Sequence, residues 1–158
     1  RKEEDPVSVK TLWVFLFLMI TIPLSIGSRA PSLAAVKEEE VCEFIDEYKD
    51  CFLNMEVDAL MALFFKDATE NRMLPYTDIE EAYRRTVSIS QSISYQVEIY
   101  SIQTYSQSAF VSGRYEIIQT FKGIRRKRAF RGDIQWVLVR KNGSLRIKEI
   151  NYGGNPLR

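Results

Sequence analysis

The chain has 158 residues, a net charge of +1 and no histidine. Near-zero charge gives no global field steering it towards nucleic acid, and no nucleic-acid partner is expected. Without histidine the commonest neutral-pH base and metal ligand is missing, and two cysteines alone cannot form a tetrahedral zinc site, so no metal or cofactor is expected.

Residues 1–10 (RKEEDPVSVK) form a charged flank. An uncharged apolar run follows from Thr11 to Ser28, TLWVFLFLMITIPLSIGS, between Lys10 and Arg29. As a helix it would be roughly 27 Å long, close to a bilayer's hydrocarbon thickness. Its length, the acids in the preceding flank and the poor small-x-small sites favour a single-pass anchor over residues 11–28 rather than a cleaved export signal. Membrane helices tolerate residues such as Pro23, and Trp13 suits the interfacial aromatic belt. The mild excess of basic residues before the run puts residues 1–10 in the cytoplasm and the following domain in the periplasm or outside the cell. The alternative is secretion after signal cleavage. A chain beginning at Arg1 rather than Met is expected to be trimmed, or to be the C-terminal part of a longer membrane protein.

Residues 29–36 read as a linker, 37–153 as one folded domain and 154–158 as a tail. A first helix is expected from about Val36 to Leu53, with Val41, Phe44, Ile45, Tyr48 and Phe52 on one apolar stripe. Its acids crowd the N-terminal half, where they suit the helix dipole. Cys42 and Cys51 lie on this helix. Nine residues of helix separate them by roughly 13 Å, too far for a mutual disulfide, which needs Cα atoms within about 7 Å. After Asn54-Met55-Glu56, a second short helix carries Val57, Leu60, Met61 and Phe64 inward. Residues 66–76 read as irregular or briefly extended. Thr77-Asp78-Ile79-Glu80 has the form of a capping box opening a third helix, with Ile79, Ala82, Tyr83 and Val87 inward.

The apolar period then changes to two. Tyr95–Thr104, Ser108–Phe121, Arg128–Arg140 and Ser144–Tyr152 are expected as strands. Asn142-Gly143 marks a tight hairpin turn between the last two. Three helices followed by four antiparallel strands give an α+β class, with the helices packed on one face of a curved antiparallel sheet.

The order helix–helix–short strand–helix–four strands resembles the nuclear transport factor 2-like superfamily, which includes SnoaL-like and ketosteroid isomerase-like domains. The resemblance is carried by Tyr48, by Asn54–Leu60 (NMEVDAL), by Leu63-Phe64 and Asp67-Ala68, and by the hairpin Trp136–Gly143. It covers about residues 38–152 and implies a cone-like, cystatin-like α+β barrel closed by the helices. The isomerases of that superfamily use a tyrosine, a general-base carboxylate and a second acid. The resemblance puts the tyrosine at Tyr48, the base position at Arg72 and the second acid at Gln135. A permanently charged guanidinium cannot abstract a proton, so two of the three roles are vacant. Glu70 or Asp133 would fill one if the register slips by two residues. Dimerisation through the open sheet face is also implied, with Phe110, Ile118 and Val139 as contacts.

Tyr48, Arg72, Tyr76, Tyr115 and Arg131 form a candidate pocket set, because tyrosine and arginine together can hold a carboxylate or phosphate. The opposing reading makes the tyrosines core residues and the arginines solvated. Lys122, Arg125, Arg126, Lys127 and Arg128 form a basic patch where two long strands turn. It is either an ordinary solvated tip or a contact for anionic lipid or an acidic partner. The expected protein is therefore a membrane-anchored, non-catalytic extracytoplasmic binding, sensing or assembly domain. It is expected to bind the bilayer through residues 11–28, to form a homodimer or larger membrane assembly, and to take a small-molecule or anionic partner. The alternative is an isomerase- or dehydratase-like enzyme with relocated acid groups acting on a small apolar substrate.

Overall fold

The computed structural model describes residues 35–123 and 126–153. The apolar run 11–28, its flank, most of the linker, Arg125 and the tail lie outside the described residues. Among the described residues no helix is long and apolar enough to cross a membrane. Val36, read above as linker, is buried, and its amide donates to the Tyr105 carbonyl at 3.1 Å, so the folded unit includes it.

The elements in order are α1 (Glu38–Leu53), α2 (Val57–Ala62), β1 (Phe64–Glu70), β2 (Leu74–Pro75), α3 (Tyr76–Ile89), β3 (Ser90–Thr104), β4 (Ser108–Phe121), β5 (Lys127–Lys141) and β6 (Ser144–Tyr152). α1 begins with Glu38, Glu39 and Glu40 in its first turn, where negative charge complements the dipole. Its expected apolar stripe is buried throughout. It ends in a Schellman arrangement: Met55 has a φ of 60°, its amide donates to Phe52, and the Glu56 amide donates to Cys51. Both cysteines sit on this one helix with free thiols, Cys42 exposed and Cys51 buried.

The six strands form one sheet in the order β2-β1-β6-β5-β4-β3. The long β3–β4–β5–β6 meander is antiparallel, as the alternation requires. Two features correct the sequence reading. Residues 66–76, expected as irregular or briefly extended, hold most of the strand at 64–70 and all of that at 74–75, and Phe64, expected on the second helix, belongs to β1 rather than α2. The sheet is therefore mixed, because β1 pairs with β6 in parallel. A parallel neighbour leaves no local pattern, since its partner lies far along the chain.

The capping box does not form. α3 starts at Tyr76 with Pro75 at its N-cap, and Pro there supplies the fixed φ that suits a helix start. The Thr77 hydroxyl donates to the Asp78 carboxylate at 3.2 Å instead, and Glu80 is taken by Arg84 at 3.0 Å.

Asn142 and Gly143 both have positive φ (52° and 87°), giving the tight β5–β6 hairpin. Register shifts in β3–β4, β5–β6 and β1–β6 mark irregularities that bend the sheet. α1 packs against β3 and α3 against β1, so the helices cover one face of a curved sheet. Ile134, Trp136 and Leu138 point into the space between, and all are fully buried.

Candidate functional site

The interior beneath the helices is aromatic. Tyr48 lies edge-on to Trp136 and Tyr95 at 6.0 and 6.1 Å between ring centroids. Phe52 packs edge-on to Tyr83 and Tyr95 at 5.5 and 5.3 Å. These contacts fill the cone with rings in favoured geometry.

Three phenols meet at the top of this core. The Tyr48 hydroxyl lies 2.7 Å from that of Tyr83 and 2.9 Å from that of Tyr152, and Tyr83 and Tyr152 are 3.0 Å apart. α1, α3 and β6 thus each supply one corner of a closed hydrogen-bonded triangle. Burial pushes all three phenols above their ordinary range, with Tyr83 adding to the effect on Tyr48. They stay protonated at neutral pH and act as hydrogen-bond donors, never as bases. Below them, the buried Tyr95 hydroxyl and Trp136 Nε1 have no hydrogen-bond partner among the described residues.

A cleft of about 220 Å³ opens above the triangle. Tyr83 and Tyr152 line it from below, Glu70 and Leu74 from the β1–β2 side, and Asp78, Glu81, Ala82, Arg85 and Thr86 from α3. Glu70 is buried at 8% exposure. Its charge acts on the neighbouring phenols, reinforcing the upward push that burial gives Tyr83 and Tyr115.

The turn after Glu70 explains how this carboxylate meets Tyr152. Asn71 and Arg72 both adopt positive φ (50° and 59°), and the Met73 amide returns to the Glu70 carbonyl, closing a tight turn. Asn71 then clasps β6. Its amide donates to Ile150, and its side-chain oxygen accepts from the Tyr152 amide at 2.9 Å.

Of the candidate pocket set, the structure brings together Tyr48 and Tyr115. Tyr115 is buried and lies edge-on to Tyr152 at 5.4 Å. Arg72 is turned out by its positive φ, with an 83% exposed side chain that pairs with Glu149 at 3.3 Å. Tyr76 is buried apart from the triangle, where it accepts from Lys66 at 2.8 Å. Arg131 is solvated on the outer sheet face and pairs with Glu116. None of the five lines the cleft itself; Tyr48 and Tyr115 lie against its lining residue Tyr152.

Gln135 and Asp133 are exposed on that same outer face, and Asp133 lies 3.8 Å from Arg114. Glu70 is thus the alternative acid that faces the cleft. Glu70, Tyr83 and Tyr152 lie outside the candidate pocket set; the sequence signals for them are the inward position of Tyr83 on its helix and the place of Glu70 two residues before Arg72.

In the basic patch, Lys122 is tied down by Ser88, Arg128 lies 4.7 Å from the Phe130 ring, and Lys127 is exposed. Phe110 and Ile118 are exposed on the outer face, and Val139 is half-buried.

Three helices closing a curved six-stranded sheet, with a cleft at the mouth of an aromatic cone, define the nuclear transport factor 2-like fold. Solved structures share it. A nuclear transport factor 2-like superfamily protein from Salmonella enterica serovar Typhimurium is 16% identical, with a TM-score of 0.64 over 75% of this chain and 90% of that one. A candidate scytalone dehydratase from Novosphingobium aromaticivorans is 13% identical, with a TM-score of 0.63 over 75% of this chain and 83% of that one. The Bdellovibrio bacteriovorus protein Bd1075 is 9% identical, with a TM-score of 0.65 over 74% of this chain but only 41% of that one. At these identities the likeness establishes the fold. No protein-family model matches the sequence, and no curated protein matches it.

Proposed function

We propose that this domain binds a small, partly apolar molecule in the cleft, with a polar group directed at Glu70. The observation that carries the reading is the buried Glu70 carboxylate sharing a cleft with the protonated phenols of Tyr83 and Tyr152. The carboxylate accepts, and a phenol that turns its proton out of the triangle donates, so a ligand hydroxyl, which both donates and accepts, can be held from two sides. The apolar walls, Leu74, Ala82 and the two tyrosine rings, remove the rest of the molecule from water. A cleft of about 220 Å³ is smaller than the usual drug-sized pocket and selects compact molecules. The apolar run 11–28 holds this binding domain at the outer surface of a membrane. The match to part of a longer Bdellovibrio chain supports the idea that such a domain serves a larger protein.

Ligand-observed NMR with a library of small phenols, alcohols and cyclic ketones tests the binding reading. Hits should perturb Tyr83 and Tyr152 and be lost in Ala82→Trp, which fills the cleft. A library with no hit displaced by Ala82→Trp would remove it.

A second reading, an acid–base enzyme acting on a small apolar carbonyl compound, is favoured by the same Glu70. A buried carboxylate is a general base, and the phenols supply hydrogen bonds to a developing enolate. Of the three carboxylates that line the cleft only Glu70 is buried, while Asp133 lies on the outer face and position 135 is an amide, and this lack of a second buried acid favours the binding reading over it. Exchange of a cyclic ketone's α-hydrogen in deuterated water, abolished by Glu70→Gln, would reverse that preference.

A further inference from the structure

At the opposite end of β1 from Glu70, an open groove of about 740 Å³ lies where the strand passes the β5–β6 hairpin. Four cationic side chains line it, Lys66, Lys141, Arg146 and Lys148, against a single carboxylate, Asp67. Each cation is held in place. Arg146 Nη1 donates to the carbonyl of Ala62, the last residue of α2, at 2.9 Å. Lys66 donates to the Tyr76 hydroxyl at 2.8 Å and lies 4.2 Å from the centre of that ring. Lys141 and Lys148 stand over Phe65 at 5.3 and 5.8 Å from its centroid. Lys148 alone meets a carboxylate, Asp67, at 2.6 Å.

Among the described residues, Lys66, Lys141 and Arg146 form no ion pair. Their anchors are a hydroxyl, a ring face and a carbonyl, none of which neutralises a charge. The Asp67 carboxyl is held below its usual range by the Lys148 hydrogen bond, reinforced by the charges of Lys148 and Lys141. Gathering like charges opposes folding, and an anion arriving in the groove relieves it.

We propose that this groove is a second binding site, distinct from the cleft, for a multiply charged oxyanion of the phosphate class. Arg146 keeps the donors of its guanidinium fork that Ala62 does not use, and a phosphate can take two of them at once. Lys141, over Phe65, and Lys66, against Tyr76, add point charges along the groove. The same chemistry is offered by a soluble phosphate ester and by an anionic lipid headgroup.

The test uses the full chain in an uncharged detergent. One arm titrates inorganic tripolyphosphate by calorimetry; the other compares micelles with and without phosphatidic acid. Binding in either arm should weaken about tenfold in Lys141→Glu/Arg146→Glu. It should also weaken with added salt and be untouched by Glu70→Gln. Response to phosphatidic acid alone, with the same dependence on the variant, identifies the source as a headgroup. Amide shifts in the wild type at residues 65–67 and 141–148 report the same site should the double variant fail to fold. Three outcomes would each overturn the proposal: no binding in either arm, binding retained by the folded charge-reversed variant, or binding lost instead on reversing Lys127 and Arg128. The lysines would then serve only to guard the start of β1, which β2 leaves unpaired.

Discussion

The Tyr48 and Tyr152 hydroxyls, 104 residues apart in the chain, lie 2.9 Å from one another. Tyr83 closes the triangle, so α1, α3 and β6 are joined at one point inside the cone. Tyr48→Phe removes one corner and leaves the 3.0 Å contact between Tyr83 and Tyr152. The expected loss is about 1 kcal/mol, whereas Tyr48→Ala, which also deletes the ring, should cost about 3–5 kcal/mol. Urea denaturation at constant slope measures both. Equal losses would mean that the ring contributes nothing beyond its hydroxyl.

Alkaline pH should unfold this domain through the same residues. Tyr48, Tyr83, Tyr95 and Tyr152 are all raised above the ordinary phenol value by burial. A raised folded-state pKa stabilises fully below the unfolded value, about 10, and that contribution is lost as pH climbs towards the folded one. Stability should therefore fall steadily above about pH 10. Phenolate absorbance from these four rings should appear together with loss of secondary structure. Ionisation in the still-folded protein would contradict their burial.

Arg72 occupies a left-handed position in the turn beside the cleft while its side chain is in solvent. Arg72→Gly removes the Cβ strain and loses only an exposed ion pair. Stability should rise by up to about 1 kcal/mol, and NMR hits in the cleft should keep their affinity. Loss of those hits on this substitution would return Arg72 to the site.

Gly132 leaves no room for a side chain. An added Cβ would sit 1.9 Å from the Gly153 carbonyl oxygen and 3.1 Å from the Tyr115 ring. Gly132→Ala must push the chain after β6 away from β5, at a cost of about 1–3 kcal/mol. Because Tyr115 packs on Tyr152, shifted tyrosine resonances should accompany the lower denaturation midpoint. A variant as stable as the parent would mean that the Gly132–Gly153 approach is not maintained in solution.

The described residues, 35–123 and 126–153, belong to one compact unit. If the apolar run anchors the protein, the whole chain should fractionate with membranes and resist extraction by salt or alkali. Residues 32–158 alone should be released to the soluble fraction with the same near-ultraviolet circular dichroism. A full chain found in the soluble fraction would remove the anchor.

The meander was legible because β4, β5 and β6 alternate cleanly, and Asn142-Gly143 announced its turn. β1 was not, since Lys66 and Asp67 interrupt its apolar pattern where its pairing with β6 also breaks. Thr77 and Glu80 have the spacing of a cap, but Pro75 and Arg84 offered stronger local solutions. For the cleft, the sequence marked Tyr48 and Tyr83 as inward, yet nothing local says that Glu70 and Tyr152 meet. A tight turn and a parallel pairing bring them together, and both are properties of the assembled sheet. The same turn took Arg72 out of the position that a linear match had given it.

β6 is the last of the described strands in chain order and is bonded on both flanks, between β1 and β5. Until it arrives, two strands that end up in the middle of the sheet are raw edges, and the cleft lacks its floor. A nascent chain halted before Ser144 would therefore carry two sticky borders instead of one missing trim. Emergence of β6, rather than of the helices before it, is the step that lets this sheet close, and chaperones would have the most to protect just before it.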